Sequence, residues 1–150
     1  LVVGDRDQVF AFGSADAQAR RLGAGVHVIS NGPIGVHWPK TRRLHDRFTD
    51  LMRSPSLAFD EVALLDLLGD KVQPPDASLP DTGVGPDLER RLAPIFIRGD
   101  RYGTRASSLL ARGADGSMLL RERRFGAGAT AAGETRWLAR AGRPFAQSAW

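Results

Sequence analysis

A chain of 150 residues and 16.2 kDa with 42% hydrophobic, 25% charged and 7% aromatic residues has the make-up of one globular domain with a real core, which argues against disorder and fibrous classes. It has no cysteine, so a disulfide framework, cysteine-ligated zinc, a thiolate nucleophile and an iron–sulfur site are all excluded within these residues. The net charge of +4 is uneven: residues 98–150 hold 10 Lys/Arg, every one an arginine, against 4 Asp/Glu, while residues 1–97 hold 11 against 13. Leu1-Val2-Val3 and Val9-Phe10-Ala11-Phe12 flank the polar turn Gly4-Asp5-Arg6-Asp7 and predict a β-hairpin of mostly buried strands. Ser14 to Arg21 reads as a loop or short helix, and Val26 to Ile29 as a third strand. That strand ends in Ser30-Asn31-Gly32-Pro33, where Asn and Gly tolerate unusual backbone angles and Pro removes a donor.

From Trp38 to Met52 the apolar Leu44, Phe48, Leu51 and Met52 recur at helical spacing, with Lys40, Arg42, Arg43, Asp46, Arg47 and Asp50 on the other face. Pro39 suits the first turn of that amphipathic helix, and Ser54-Pro55 ends it. A second helix is expected from Phe59 to Leu68, begun by Asp60 and Glu61, stopped by Gly69, and apolar nearly all round, as burial between layers requires. Residues 70–87 carry Pro74, Pro75, Pro80 and Pro86 with no periodicity and form a long loop, before a short helical stretch at Asp87–Leu92. Ile95-Phe96-Ile97 predicts a return to strand. Ala106–Arg112 and Ser117–Phe125 form a hairpin across Gly113-Ala114-Asp115-Gly116, then comes a Gly/Ala loop at 126–133 and a last strand at Glu134–Arg140. Helices segregated from strands in this order give an α+β fold with antiparallel sheets and helices on the outer faces. No apolar run approaches the roughly 20 residues that span a bilayer, and no charged-then-apolar leader is seen, so a cytoplasmic protein is expected.

The histidines His27, His37 and His45 match no compact metal motif, so no metal site is expected, and no cofactor is called for. No serine sits in a nucleophile elbow, and Gly23-x-Gly25 and Gly83-x-Gly85 lack the context of a phosphate loop. Two segments carry more chemistry. Asn31 delivers an amide into a tight turn where it can donate to a developing oxyanion, or else cap its own turn; Trp38-Pro39-Lys40 follows it closely. Arg98, Arg101 and Arg105 surround Tyr102 and two glycines, a set able to clamp a carboxylate or phosphate, or to pair with Asp100 or Asp87 at the surface. The arginine-rich third lacks the interleaved aromatics of a nucleic-acid surface, so no nucleic-acid partner is expected.

Val26 to Pro33, Trp38-Pro39-Lys40, Leu79-Pro80-Asp81-Thr82-Gly83-Val84-Gly85, and Pro94 to Ile97 through Arg101-Tyr102-Gly103-Thr104-Arg105-Ala106-Ser107 resemble, in this order, the C-terminal part of the NRDE-domain family. This is the family of the transport and Golgi organisation proteins, and the likeness runs from Leu1 to about Arg140. The resemblance implies an αββα sandwich similar to the N-terminal-nucleophile hydrolases, with a cysteine near the mature N-terminus. By position Asn31 and either Arg101 or Arg105 match an Asn and an Arg that line the active site of that wider group. The Asn-Arg-Asp-Glu motif and the cysteine are absent from these 150 residues, so the resemblance makes them the C-terminal part of a single domain whose upstream part lies outside the chain. Hydrolysis by this chain alone is therefore not expected, because an oxyanion donor without a nucleophile has nothing to stabilise. Family members are associated with acyl-CoA and haem handling, which implies a small anionic or amphipathic ligand held by Arg98, Arg105, Tyr102 and Trp38. The alternative is a Cys-dependent amidohydrolase at full length, with Asn31 and Arg101 as its catalytic residues. The arginine-for-lysine usage points to a bacterial source, and an incomplete sandwich predicts self-association through an exposed sheet face.

Overall fold

The computed structural model describes residues 1–5, 7–14, 18–53, 59–140, 142–143 and 146–147. The predicted break at Ser54-Pro55 lies outside them. The fold is α+β with antiparallel sheets, as the order of elements predicts. Internal contacts divide the chain into two units, Leu1–Pro55 with Pro74–Ala93, and Ser56–Gln73 with Pro94–Trp150.

In the first unit β1 (Val2–Gly4), β2 (Val9–Ala11) and β3 (Arg20–Leu22) form an antiparallel sheet in that order. The Asp5 carboxylate accepts from the amides of Asp7 and Gln8, which folds the polar turn and sets Val3 opposite Phe10. The strands were expected to be mostly buried, yet Leu1, Val2, Val3 and Val9 are exposed and only Ala11 is fully enclosed. The third strand is also displaced. Val26–Ile29 finds no ladder partner, whereas the polar Arg20–Leu22 pairs with β2, Phe10 standing opposite Arg21. Helix α1 (Pro39–Arg53) follows, begun by Pro39 and bonded at its first turn through Thr41 Oγ1, which donates to Trp38 O at 2.9 Å. Residues 74–93 add a single 3-10 turn at Asp76–Ser78, Ser78 donating from both amide and hydroxyl to Pro75 O, and then helix α3, Pro86–Leu92.

The second unit begins with α2 (Glu61–Leu68). Asp60 caps it, its carboxylate accepting from the amides of Val62 at 2.9 Å and Ala63 at 3.0 Å, and Gly69 ends it. Leu64, Leu65 and Leu67 are buried, each contributing about 1.5–3 kcal/mol by leaving water. The four-stranded sheet that α2 contacts is β4 (Ala106–Arg112), β5 (Met118–Phe125), β6 (Ala131–Ala139) and β7 (Ala146–Gln147), in sequential antiparallel order. The β4–β5 hairpin turns through Gly113–Gly116, as its composition predicts, with Asp115 accepting from the Ser117 amide and hydroxyl. A bulge between Arg123 and Phe125 bends β5 against β6, and Phe125 meets Phe96 edge-to-face with ring centroids 4.8 Å apart. Ile95–Ile97, expected as a strand, joins no sheet. The Phe96 amide instead donates to Asp70 O, and the Ile97 amide to Thr104 Oγ1.

Candidate functional site

Asn31 and Trp38 come together in the first unit, and a glycine explains how. A Cβ at Gly32 would lie 2.7 Å from the Trp38 ring, so only glycine lets the indole lie on the turn that follows Asn31. The two residues help line a small cavity of about 30 Å³, with Lys40, Leu79, Thr82 and Glu89 among its walls. That volume holds one or two water molecules. The cavity is polar on one side. Glu89 is buried and accepts from the Thr82 amide at 2.6 Å and from the Thr82 hydroxyl. Lys40 reaches in from the first turn of α1, donates to Leu92 O at 3.1 Å, and stands 5.3 Å from the Trp38 ring centroid. Burial pushes the Lys40 amine below the usual lysine range, and the Glu89 carboxylate pulls the other way. Asn31 itself is exposed, and its Oδ1 accepts from Ser30 Oγ at 3.1 Å, which leaves the amide nitrogen as a donor.

Arg98, Arg101, Tyr102 and Arg105 belong to the second unit, on the loop that leads into β4. Thr104 closes this loop, donating its amide to Ile97 O at 2.9 Å while its hydroxyl accepts from the Ile97 amide at 3.0 Å. The turn is too tight for side chains at its glycines: a Cβ on Gly99 would sit 2.3 Å from Tyr102 O, and one on Gly103 2.9 Å from Ile97 O. Arg98 Nε donates to Gly128 O at 3.1 Å and the Gly128 amide donates to Gly99 O, which ties the loop to the segment after β5. Arg101, Tyr102 and Arg105 remain exposed on this braced turn, Tyr102 by 62%.

Most other arginines of the basic third are committed to ion pairs. Glu61 holds Arg136 through both carboxylate oxygens and Arg121 at 3.1 Å; Glu134 holds Arg121 and Arg123; Asp66 also takes Arg123. The Arg136 guanidinium, with Arg121 beside it, keeps the Glu61 carboxyl below the usual range against the opposing effect of burial. These acids come from α2 and β6, so spacing along the sequence did not reveal the pairing. The first unit also has a groove lined by His37, by Arg42, Arg43 and Arg47 from the polar face of α1, and by Pro74, Pro75 and Ser78. His27 Nε2 donates to Gly23 O at 2.9 Å and His45 Nδ1 stands 3.1 Å from Asp46. Among the described residues no group of three or more His, Asp or Glu is placed to hold a metal, and no helix is long and apolar enough to cross a membrane.

The family model described as Transport and Golgi organisation 2 matches residues 1–127. The chain belongs to that family. The match ends just past β5, so β6 and β7 fall outside the matched part, while the Asn31, Trp38 and Arg101 segments all fall within it. No curated protein and no solved structure gives a significant match to the chain.

Proposed function

We propose that this protein binds a small anionic or amphipathic ligand, of the acyl-CoA or haem kind, through the loop that carries Arg98, Arg101, Tyr102 and Arg105. The observation that carries the reading is a turn braced by Thr104, Gly99, Gly103 and Gly128 that nevertheless leaves two guanidiniums and a phenol ring in water. A structural turn has no need of that display. A binding turn does, because a guanidinium on a rigid support loses little freedom when it closes on a carboxylate or phosphate. Calorimetry of the full chain with an acyl-CoA and with haem tests the reading. Arg101→Ala is expected to weaken binding at least about tenfold, the worth of one charge-assisted hydrogen bond. Unchanged affinity would remove the clamp.

A second reading, a Cys-dependent amidohydrolase in a longer chain, draws support from the cavity in the first unit. Its size suits a water or an oxyanion, and Asn31 brings an amide donor to its wall. In this reading a cysteine supplied upstream of Leu1 attacks an acyl carbonyl, the amine of the substrate amide leaves, and Asn31 steadies the oxyanion between those steps. With a form that carries such a cysteine, Asn31→Ala should lower kcat about 10²–10³-fold on a small amide with little change in KM. Equal kcat in the two forms discards the assignment.

A further inference from the structure

The sheet of the second unit carries an open pocket of about 290 Å³, at the lower end of the roughly 300–1,000 Å³ of small-molecule sites. Alternate residues of a strand share a face, and the register sets Ala111 beside Leu119 and Leu119 beside Leu138, on the face from which Arg121 and Arg136 reach Glu61 of α2. Arg136 is met by Glu61, the first residue of the helix; two residues on, Leu138 is 41% exposed. This row gives the pocket an apolar floor, with Met118 at its side and Phe59 on another wall. Phe59 has a φ of +37°, which a bulky residue adopts only under strain, and it remains 48% exposed. Burial gives little back for that strain, whereas a flat ligand against the ring would.

We infer that this pocket is a binding site, distinct from the Arg101 loop, for a small aromatic monocarboxylate. Of the charged residues that line it, Glu61 and Arg136 hold each other through both carboxylate oxygens, which leaves Arg112 as the unbalanced charge. Arg112 is exposed, and its guanidinium has no partner among the described residues; Asp115, the acid next to it in sequence, accepts from Ser117 instead. One guanidinium fork matches one carboxylate, and a second anionic group would meet Glu61. Phe59 and Met118 favour an aromatic body over an aliphatic one, through ring–ring and sulfur–ring contacts. At about 30 Å³ for each water-sized group, the volume takes roughly ten such groups, the size of a phenyl ring carrying a two-carbon acid.

Calorimetry on the full chain, with phenylacetate, phenylacetamide and cyclohexylacetate as separate probes, tests it. Phenylacetate should bind in the millimolar range or better. Phenylacetamide, which keeps the shape without the charge, and cyclohexylacetate, which keeps the charge without the aromatic ring, should each bind at least about threefold more weakly. Arg112→Gln should weaken phenylacetate at least about threefold and erase its advantage over phenylacetamide, with an unchanged far-ultraviolet spectrum. Leu138→Trp fills the floor and should abolish binding. If that variant does not fold, Phe59→Leu should erase the advantage of phenylacetate over cyclohexylacetate. Arg101→Ala should leave all three affinities intact, so this site and the loop site stand or fall separately. Absence of binding at millimolar phenylacetate, equal affinity for the three probes, or affinity untouched by Arg112→Gln would each overturn the assignment, and a loss caused by Arg101→Ala would overturn it in favour of the loop.

Discussion

Glu61 shows how much one side chain's surroundings decide. Its carboxylate, 17% exposed, serves Arg136 through two oxygens and Arg121 through one, and both arginines are themselves largely covered. Asp76 makes an equally short contact with Arg90, but the two are 62% and 42% exposed. Water screens the second pair far more than the first, so equal distances carry unequal energies. Glu61→Gln keeps the shape of the side chain and removes its charge, which strands two guanidinium contacts in a partly dry layer between α2 and the sheet. The expected loss is about 2 kcal/mol, below the ~3–5 of a wholly buried pair because some water reaches the site. Urea unfolding should show it as a lower midpoint with an unchanged slope, while Asp76→Asn lowers the midpoint far less. A Glu61→Gln midpoint equal to the parent's would show the network to be energetically idle.

At the scale of elements, what the sequence made legible was what local chemistry decides. The Leu44–Phe48–Leu51 spacing marks α1, Asp60 and Gly69 bracket α2, and Gly113–Gly116 pins the β4–β5 hairpin; all three appear within a residue or two of expectation. The failures are strands, and they share a cause. Val26–Ile29 and Ile95–Ile97 have strand composition, but a strand exists only when another backbone supplies its ladder, and no local signal reports a partner. Arg20–Leu22, with poor composition, became β3 because β2 offered an edge. The candidate sites divide the same way. Asn31 and Trp38 are neighbours in sequence bridged by Gly32, and their meeting was readable. The groove beside α1 was not, because residues of α1 line it together with Pro74, Pro75 and Ser78, which are distant in sequence. Likewise Glu61 and Asp66 meet arginines roughly sixty or more residues away in sequence, through sheet register rather than helical spacing.

For the whole molecule, residues 98–150 carry an excess of arginine, yet Arg121, Arg123 and Arg136 meet acids from α2 and β6. The same pairings set the response to acid. Glu61 is held low chiefly by its bond from Arg136, Asp5 by the amides of Asp7 and Gln8, Asp76 by Arg90, and Asp115 by the Ser117 hydroxyl and amide. All four lie lower folded than unfolded. Between the folded and unfolded values the unfolded chain therefore binds more protons, so these groups contribute stability that is complete above the ordinary carboxylate range and is lost as pH falls through the folded values. Lys40 acts at the other end. Its amine is lowered by burial, so the unfolded chain again holds the extra proton, and stability from this group rises as pH climbs toward the ordinary lysine range. Both effects have one sign, and repulsion among 21 Lys/Arg deepens the acid loss once carboxylates are protonated. The urea midpoint should hold steady from about pH 7 to 5 and fall steeply from about pH 4.5 to 3, the range in which unfolded carboxylates titrate. Glu61→Gln, already less stable at pH 7, should fall less over that range, so the two curves converge in acid. Parallel curves would mean that Glu61 protonates at the same pH folded and unfolded, and the network with Arg121 and Arg136 would then lose its electrostatic account.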